Sequence, residues 1–139
     1  MRVTVDSNIV LSAFLWGGNP RRVLNAARSG AIHIFTSPAL IAELADVLSR
    51  ERFEQRLTEV SSSVEKIVNE FQGLATIVDA PNIEPVVLRD PDDDMVVACA
   101  IASDSDVIVS GDRDLLNLKM YQGIRILRAT DLLLEIGLS

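Results

Sequence analysis

With 139 residues, 48% of them hydrophobic, the chain has the length of one domain and enough apolar side chains to bury a core without covalent staples. Its single cysteine, Cys99, excludes an intrachain disulfide, and its longest apolar run, Met95 to Ala102, falls far short of the roughly 20 residues that span a bilayer. A net charge of −7, from 20 acids against 13 bases, counts against a protein that meets a polyanion through a broadly basic face, although acids gathered on a bound cation would invert the local field. The opening MRVTVDSNIV places an acid at position 6 and offers no signal-peptide core. The sequence therefore predicts one soluble domain over 1–139, at home in a reducing cytoplasm.

Apolar, β-branched stretches recur at Val3 to Val5, Ile32 to Phe35, Thr76 to Val78, Val107 to Val109 and Ile124 to Leu127. They read as strands, and the helical periodicity between them predicts an α/β protein whose parallel sheet is covered on both faces. Trp16, beside Gly17 and Gly18, suits either a base-stacking platform or an apolar anchor for a loop or dimer contact. Asn19 before Pro20, and Ser37 before Pro38, mark two expected helix N-termini. The bases cluster as Arg21, Arg22 and Arg28, then as Arg50, Arg52 and Arg56, and read most simply as solvated helix faces. Arg50 through Phe71 predicts a helical hairpin broken at Val60 to Ser63, without evident chemistry, and Asp79 to Pro85 predicts a loop.

The chemistry lies in the acids. Ligands of parallel α/β sheets bind outside the carboxyl ends of the strands, where Asp6 closes the first strand and Asp112 follows Val107 to Val109. Each also suits a plain cap of the following turn or helix. Glu43 falls at the margin of the apolar stripe of PALIAELADVL and can face a cleft, whereas Asp46 points the other way. In the run Arg89-Asp90-Pro91-Asp92-Asp93-Asp94, Asp90 as N-cap, Pro91 at N1 and Asp93 at N3 suit a helix start. Asp94 is left over, one turn into a helix that is apolar on every side, where an uncompensated charge is costly. Asp6, Glu43, Asp94 and Asp112 thus form a four-carboxylate set whose repulsion is relieved by protonation or by cations. Oxygen donors without histidine or cysteine suit Mg²⁺ or Mn²⁺ rather than zinc.

These segments resemble the PIN-domain ribonucleases, in particular the VapC-like toxins of type II toxin–antitoxin systems. VTVDSNIVLSAF is similar to their first strand, PALIAELADVL to their glutamate-bearing helix, and DPDDDMVVACAIASDSDVIVSGDRDLL to the stretch carrying their third and fourth acids. The resemblance implies a three-layer sandwich around a five-stranded parallel sheet. It also implies hydrolysis of single-stranded RNA by a cytoplasmic enzyme, with an antitoxin partner and a homodimer. It assigns Asp6, Glu43, Asp94 and Asp112 to the metal site and Asp114 as an auxiliary acid. Ser7 and Asn8 match the polar pair after the first acid, and Ser110 matches the small hydroxyl residue before the fourth. Asp93 takes the place of Asp94 if the register shifts by one.

The expected reaction is metal-assisted phosphodiester hydrolysis, with Glu43 or Asp114 available to orient water. A Ser-His or Cys-His system is excluded by placement: the only histidine, His33, sits in a predicted strand and Cys99 in a predicted buried helix. A receiver-type signalling domain also gathers acids and Mg²⁺ at strand ends, but it wants adjacent acids after the first strand and a lysine after a late one. Here Asp6 is followed by Ser7 and Asn8, and the late strand leads to Gly111, Asp112 and Arg113. A non-catalytic PIN-like binding scaffold is the remaining alternative, disfavoured by the complete acidic set.

Overall fold

The computed structural model describes residues 1–80 and 91–138. The expected N-cap Asp90, and all but the first two residues of the loop expected at 79–85, lie outside the described residues. β1 (Arg2–Val5) leads to α1 (Ser7–Leu15) and α2 (Gly18–Arg28), and β2 (His33–Thr36) leads to α3 (Pro38–Leu48). A short 3-10 turn (Glu51–Phe53), α4 (Glu54–Glu59) and α5 (Val64–Leu74) form the expected helical excursion before β3 (Ala75–Ile77). Then follow α6 (Pro91–Ala102), β4 (Val107–Val109), α7 (Arg113–Leu118), β5 (Met120–Tyr121), β6 (Ile124–Leu127) and α8 (Ala129–Glu135).

The strands form one sheet in the order β3-β2-β1-β4-β6-β5. All five expected strands are present and mutually parallel, but β5 adds a sixth, antiparallel to β6, which corrects the expected strand count. Two residues are too short a run to show alternation. The hairpin turns on Gln122 (φ 50°) and Gly123 (φ 82°), the paired positive-φ geometry of a two-residue turn built here without the usual Asn-Gly signal.

β1 and β4 lie inside the sheet, buried on both faces as their β-branched runs require. Val3, Val5, Val107 and Val109 meet α1, α2 and α8 on one face, while Ile108 and Ile126 meet Val96, Val97 and Ala100 of α6 and Leu115 of α7 on the other. The result is three layers. Thr4 is the buried polar residue of β1, and its hydroxyl lies 2.9 Å from Ser105 Oγ, itself 2.7 Å from Ser103 Oγ, so this buried group is hydrogen-bonded.

Ser37 caps α3 as expected, its hydroxyl accepting from Leu40 N–H at 3.3 Å ahead of Pro38. Asn19 does not cap α2. That helix begins at Gly18, with Gly17 as the residue before it at φ 80° and no side-chain cap. Ser12 C=O accepts from both Trp16 and Gly17 N–H, so α1 ends in a turn tight enough to demand glycine and feeds directly into α2.

The arginine clusters are also more than solvated faces. α1 has no basic residue in its last turn, and two arginines from elsewhere take its terminal carbonyls: Arg21 Nε donates to Ala13 C=O at 3.1 Å and Arg56 Nε to Leu15 C=O at 2.7 Å. Arg22 donates to Leu138 C=O, Arg28 meets Glu70, Arg50 meets Asp46, and Arg52 lies over the Phe53 ring. Trp16 is 56% exposed and sets its ring edge-on to Phe53.

Cys99 is fully buried in α6, and burial pushes its thiol up to about 11 from the usual 9.0, against the opposing hydrogen bonds to Thr4 and Ser37. The unfolded chain therefore ionises this thiol first, so its contribution to stability holds below pH 9 and is lost as pH rises towards 11. Iodoacetamide at pH 8 is expected to spare the native thiol and modify the urea-unfolded one, and the loss of stability between pH 9 and 11 should be smaller in Cys99→Ala. Equal alkylation of native and unfolded protein would contradict this burial.

Candidate metal centre

β1 and β4 pair with Val5 opposite Val109, so the residues that follow, Asp6 and Ser110, leave the sheet side by side. Asp6 N–H donates to Val109 C=O at 3.0 Å, which extends the ladder to the edge. Asp6 is 4% exposed and caps α1: Oδ1 accepts from Asn8 N–H at 3.3 Å, while Oδ2 accepts the Ser110 hydroxyl at 2.7 Å. Ser110 Oγ in turn accepts Asp112 N–H at 2.9 Å. Asp112 caps α7, its Oδ1 accepting from Asp114 N–H at 2.8 Å and Leu115 N–H at 3.2 Å. Ser110 is therefore the joint between the first and last acids, a role its position two residues before Asp112 hints at in sequence.

The capping alternative thus holds for Asp6 and for Asp112, but it engages only Oδ1 of Asp112 and does not explain the third element. α6 brings Asp93 in from above, and carboxylate oxygens of Asp93, Asp112 and Asp114 all lie within 4.8 Å of one another. Carboxylates this close repel one another when ionised. A proton or a cation relieves this. Three converging oxygens without nitrogen or sulfur fit a hard divalent ion such as Mg²⁺ or Mn²⁺.

Within α6 the buried acid is Asp93, 4% exposed, whereas Asp94 is only half-buried; this corrects the expectation that Asp94 is the acid carried into the apolar helix. Asp93 shares its face with Val96, Val97 and Ala100, one and two turns on, which are among the fully buried residues of the helix. Asp93 and Asp114, expected only as auxiliaries, are the acids that lie against Asp112; Glu43 and Asp94 lie outside that tight group, and Asp6 reaches it through Ser110.

Glu43 is half-buried on α3 with Oε2 shielded from solvent, while Asp46 is exposed and pairs with Arg50 at 3.5 Å, as their helical phases require. The Ser7 hydroxyl donates to Leu40 C=O at 3.3 Å, tying the start of α1 to the first turn of α3, and Asn8 is exposed. His33 stands at the amino end of β2, at the opposite edge of the sheet from the acids, with Nε2 2.9 Å from Thr76 Oγ1.

Removing the Ser110 hydroxyl leaves Asp6 Oδ2 and Asp112 N–H without their shared partner. Ser110→Ala is expected to cost about 1–3 kcal/mol of stability in urea unfolding, the usual penalty for a buried hydrogen bond to a charged group. A loss below about 0.5 kcal/mol would contradict the role of Ser110 as the joint between Asp6 and Asp112.

A sequence model of the PIN domain matches residues 2–114, a stretch that contains every acid of this edge. No curated protein sequence matches the chain. Among solved structures, the fold is similar to a chain in the crystal structure of VapBC2 from Rickettsia felis bound to a DNA fragment from their promoter. The similarity has a TM-score of 0.61 at 16% identity and covers 92% of this chain and 98% of that one. At that identity the likeness speaks for the fold, while the family match spans most of the sequence. The chain belongs to the PIN-domain family.

Proposed function

We propose that this protein is a divalent-metal-dependent endoribonuclease that hydrolyses single-stranded RNA and serves as the toxin of a toxin–antitoxin pair. The observation that carries the reading is the convergence of Asp93, Asp112 and Asp114 at the carboxyl edge of the sheet, with Asp6 joined to them through Ser110. Family membership supports the nuclease chemistry. Likeness of fold to a chain in the VapBC2 crystal structure supports an antitoxin partner, and a homodimer in the cytoplasm goes with the same reading. Among the described residues, no helix is long and apolar enough to cross a membrane.

Asp93, Asp112 and Asp114 would hold Mg²⁺ or Mn²⁺, with Asp6, Glu43 and Asp94 completing the acidic surround. A bound divalent ion supplies Lewis acidity at the scissile phosphate and lowers the pKa of its water. The chain's own part is to hold the acids rigidly: α7 and α1 are capped by the site's own aspartates, and Ser110 fixes their relative position. A carboxylate oxygen not used by the cation, on Glu43 or Asp114, would accept the proton of the attacking water. Cys99 and His33 take no part, the first being buried as a thiol beneath Thr4 and the second lying at the far edge.

A panel of single-stranded and structured RNAs, incubated with Mg²⁺, Mn²⁺ or chelator, tests the proposal. Cleavage in Mn²⁺ or Mg²⁺ should vanish in chelator, and Asp93→Asn and Asp112→Asn should each lower kcat/KM by roughly a hundredfold or more. Asp94→Asn should do less than Asp93→Asn, in keeping with its partial exposure. Cleavage that persists in chelator, or in Asp112→Asn, would overturn the metal mechanism.

A further inference from the structure

An acidic edge that takes RNA needs a cation of its own for the phosphate. Arg2, Arg125 and the six arginines of the two clusters already engage backbone carbonyls, carboxylates or rings. Among the described residues Lys66, Arg113, Lys119 and Arg128 carry no such contact. Lys66 belongs to the first turn of α5 and Lys119 follows the far end of α7. Arg113 lies in the first turn of α7, on the side of exposed Asn117 one turn on, and not in a strand of the sheet.

Arg128 differs. β4 and β6 pair with Val109 opposite Leu127, and Ser110 N–H donates to Leu127 C=O at 3.0 Å. Arg128 therefore stands beside Ser110, about 5 Å away across the sheet. Along β6, Ile124 and Ile126 bury against α6 and α7, while Leu127 packs on the opposite face. The backbone of Arg128 stays extended (φ −73°, ψ 160°), so the period of two puts its side chain on the face of Ile126. That face holds Thr4 and Ile108, and two residues on in each strand come Asp6 and Ser110. Arg128 also makes no side-chain cap for α8, so its exposed guanidinium has no evident structural duty.

We infer that Arg128 is a phosphate-binding residue of this edge, gripping a backbone phosphate of single-stranded RNA next to the scissile one. The inference rests on the nuclease reading above and gives it a substrate contact. A guanidinium matches phosphate geometry through paired N–H donors, which a lysine reproduces only in charge. Beside a cation-loaded acidic site it offsets the charge that −7 overall would otherwise set against the substrate.

The test is binding of a fluorescein-labelled, phosphorothioate-linked single-stranded RNA in Mn²⁺ at 4 °C, followed by anisotropy, beside cleavage of the ordinary RNA. Arg128→Ala should weaken binding by about tenfold or more, and Arg128→Lys should fall between it and the parent chain. Arg28→Ala, with the same change of charge on the α2 surface, should stay within about twofold of the parent, and the melting temperature in Mn²⁺ should be the same for all. Arg128→Ala binding as tightly as Arg28→Ala overturns the inference. Arg128-dependent binding without any cleavage upholds the phosphate contact and overturns the nuclease reading, whereas a parent chain that binds no RNA overturns both.

Discussion

The arrangement depends on like charges being forced together by a sheet that gives them no way apart. Parallel pairing of β1 with β4 fixes where Asp6 and Ser110 leave the sheet, and both strands are buried on each face. α7 then starts on Asp112 and α6 lowers Asp93 onto it, so neither acid can retreat without disturbing a helix start. Carboxylate oxygens held this close together are the ground on which a cation site is proposed here.

Ser110 shows how this edge is built economically. Its hydroxyl donates to Asp6 and accepts from the backbone of Asp112, linking two strand ends through one side chain. The aspartates meanwhile cap α1 and α7, and the cap at α7 uses Oδ1 of Asp112. A capping role for these aspartates therefore does not exclude the proposed role in holding a cation. The same thrift appears at the far end of α1, where Arg21 and Arg56 take terminal carbonyls instead of facing a polyanion.

Much of this could be read from residue patterns. The five parallel strands followed from β-branched runs, Ser37-Pro38 marked α3, and the phase of α3 separated Glu43 from Asp46. Where reading failed, the local signal was absent or ambiguous. In α6 nearly every residue after the acids is apolar, so no stripe sets the helical phase, and only packing against β1 and β4 decides that Asp93 and not Asp94 is buried. β5 is two residues long, and α2 begins at a glycine turn set by Ser12 C=O, not by the Asn19-Pro20 pair. Arg128 stood out only once β6 had a neighbour and a register.

Whether the converging carboxylates take up a cation is read by titrating the protein with Mn²⁺ while following the free ion by electron paramagnetic resonance. Saturable uptake is expected, displaced by excess Mg²⁺ and greatly weakened in the Asp93→Asn/Asp112→Asn double variant, with a melting temperature that climbs as Mn²⁺ is added only to the parent chain. Free Mn²⁺ rising in step with total Mn²⁺ in a folded parent protein, or identical uptake by the double variant, would contradict it.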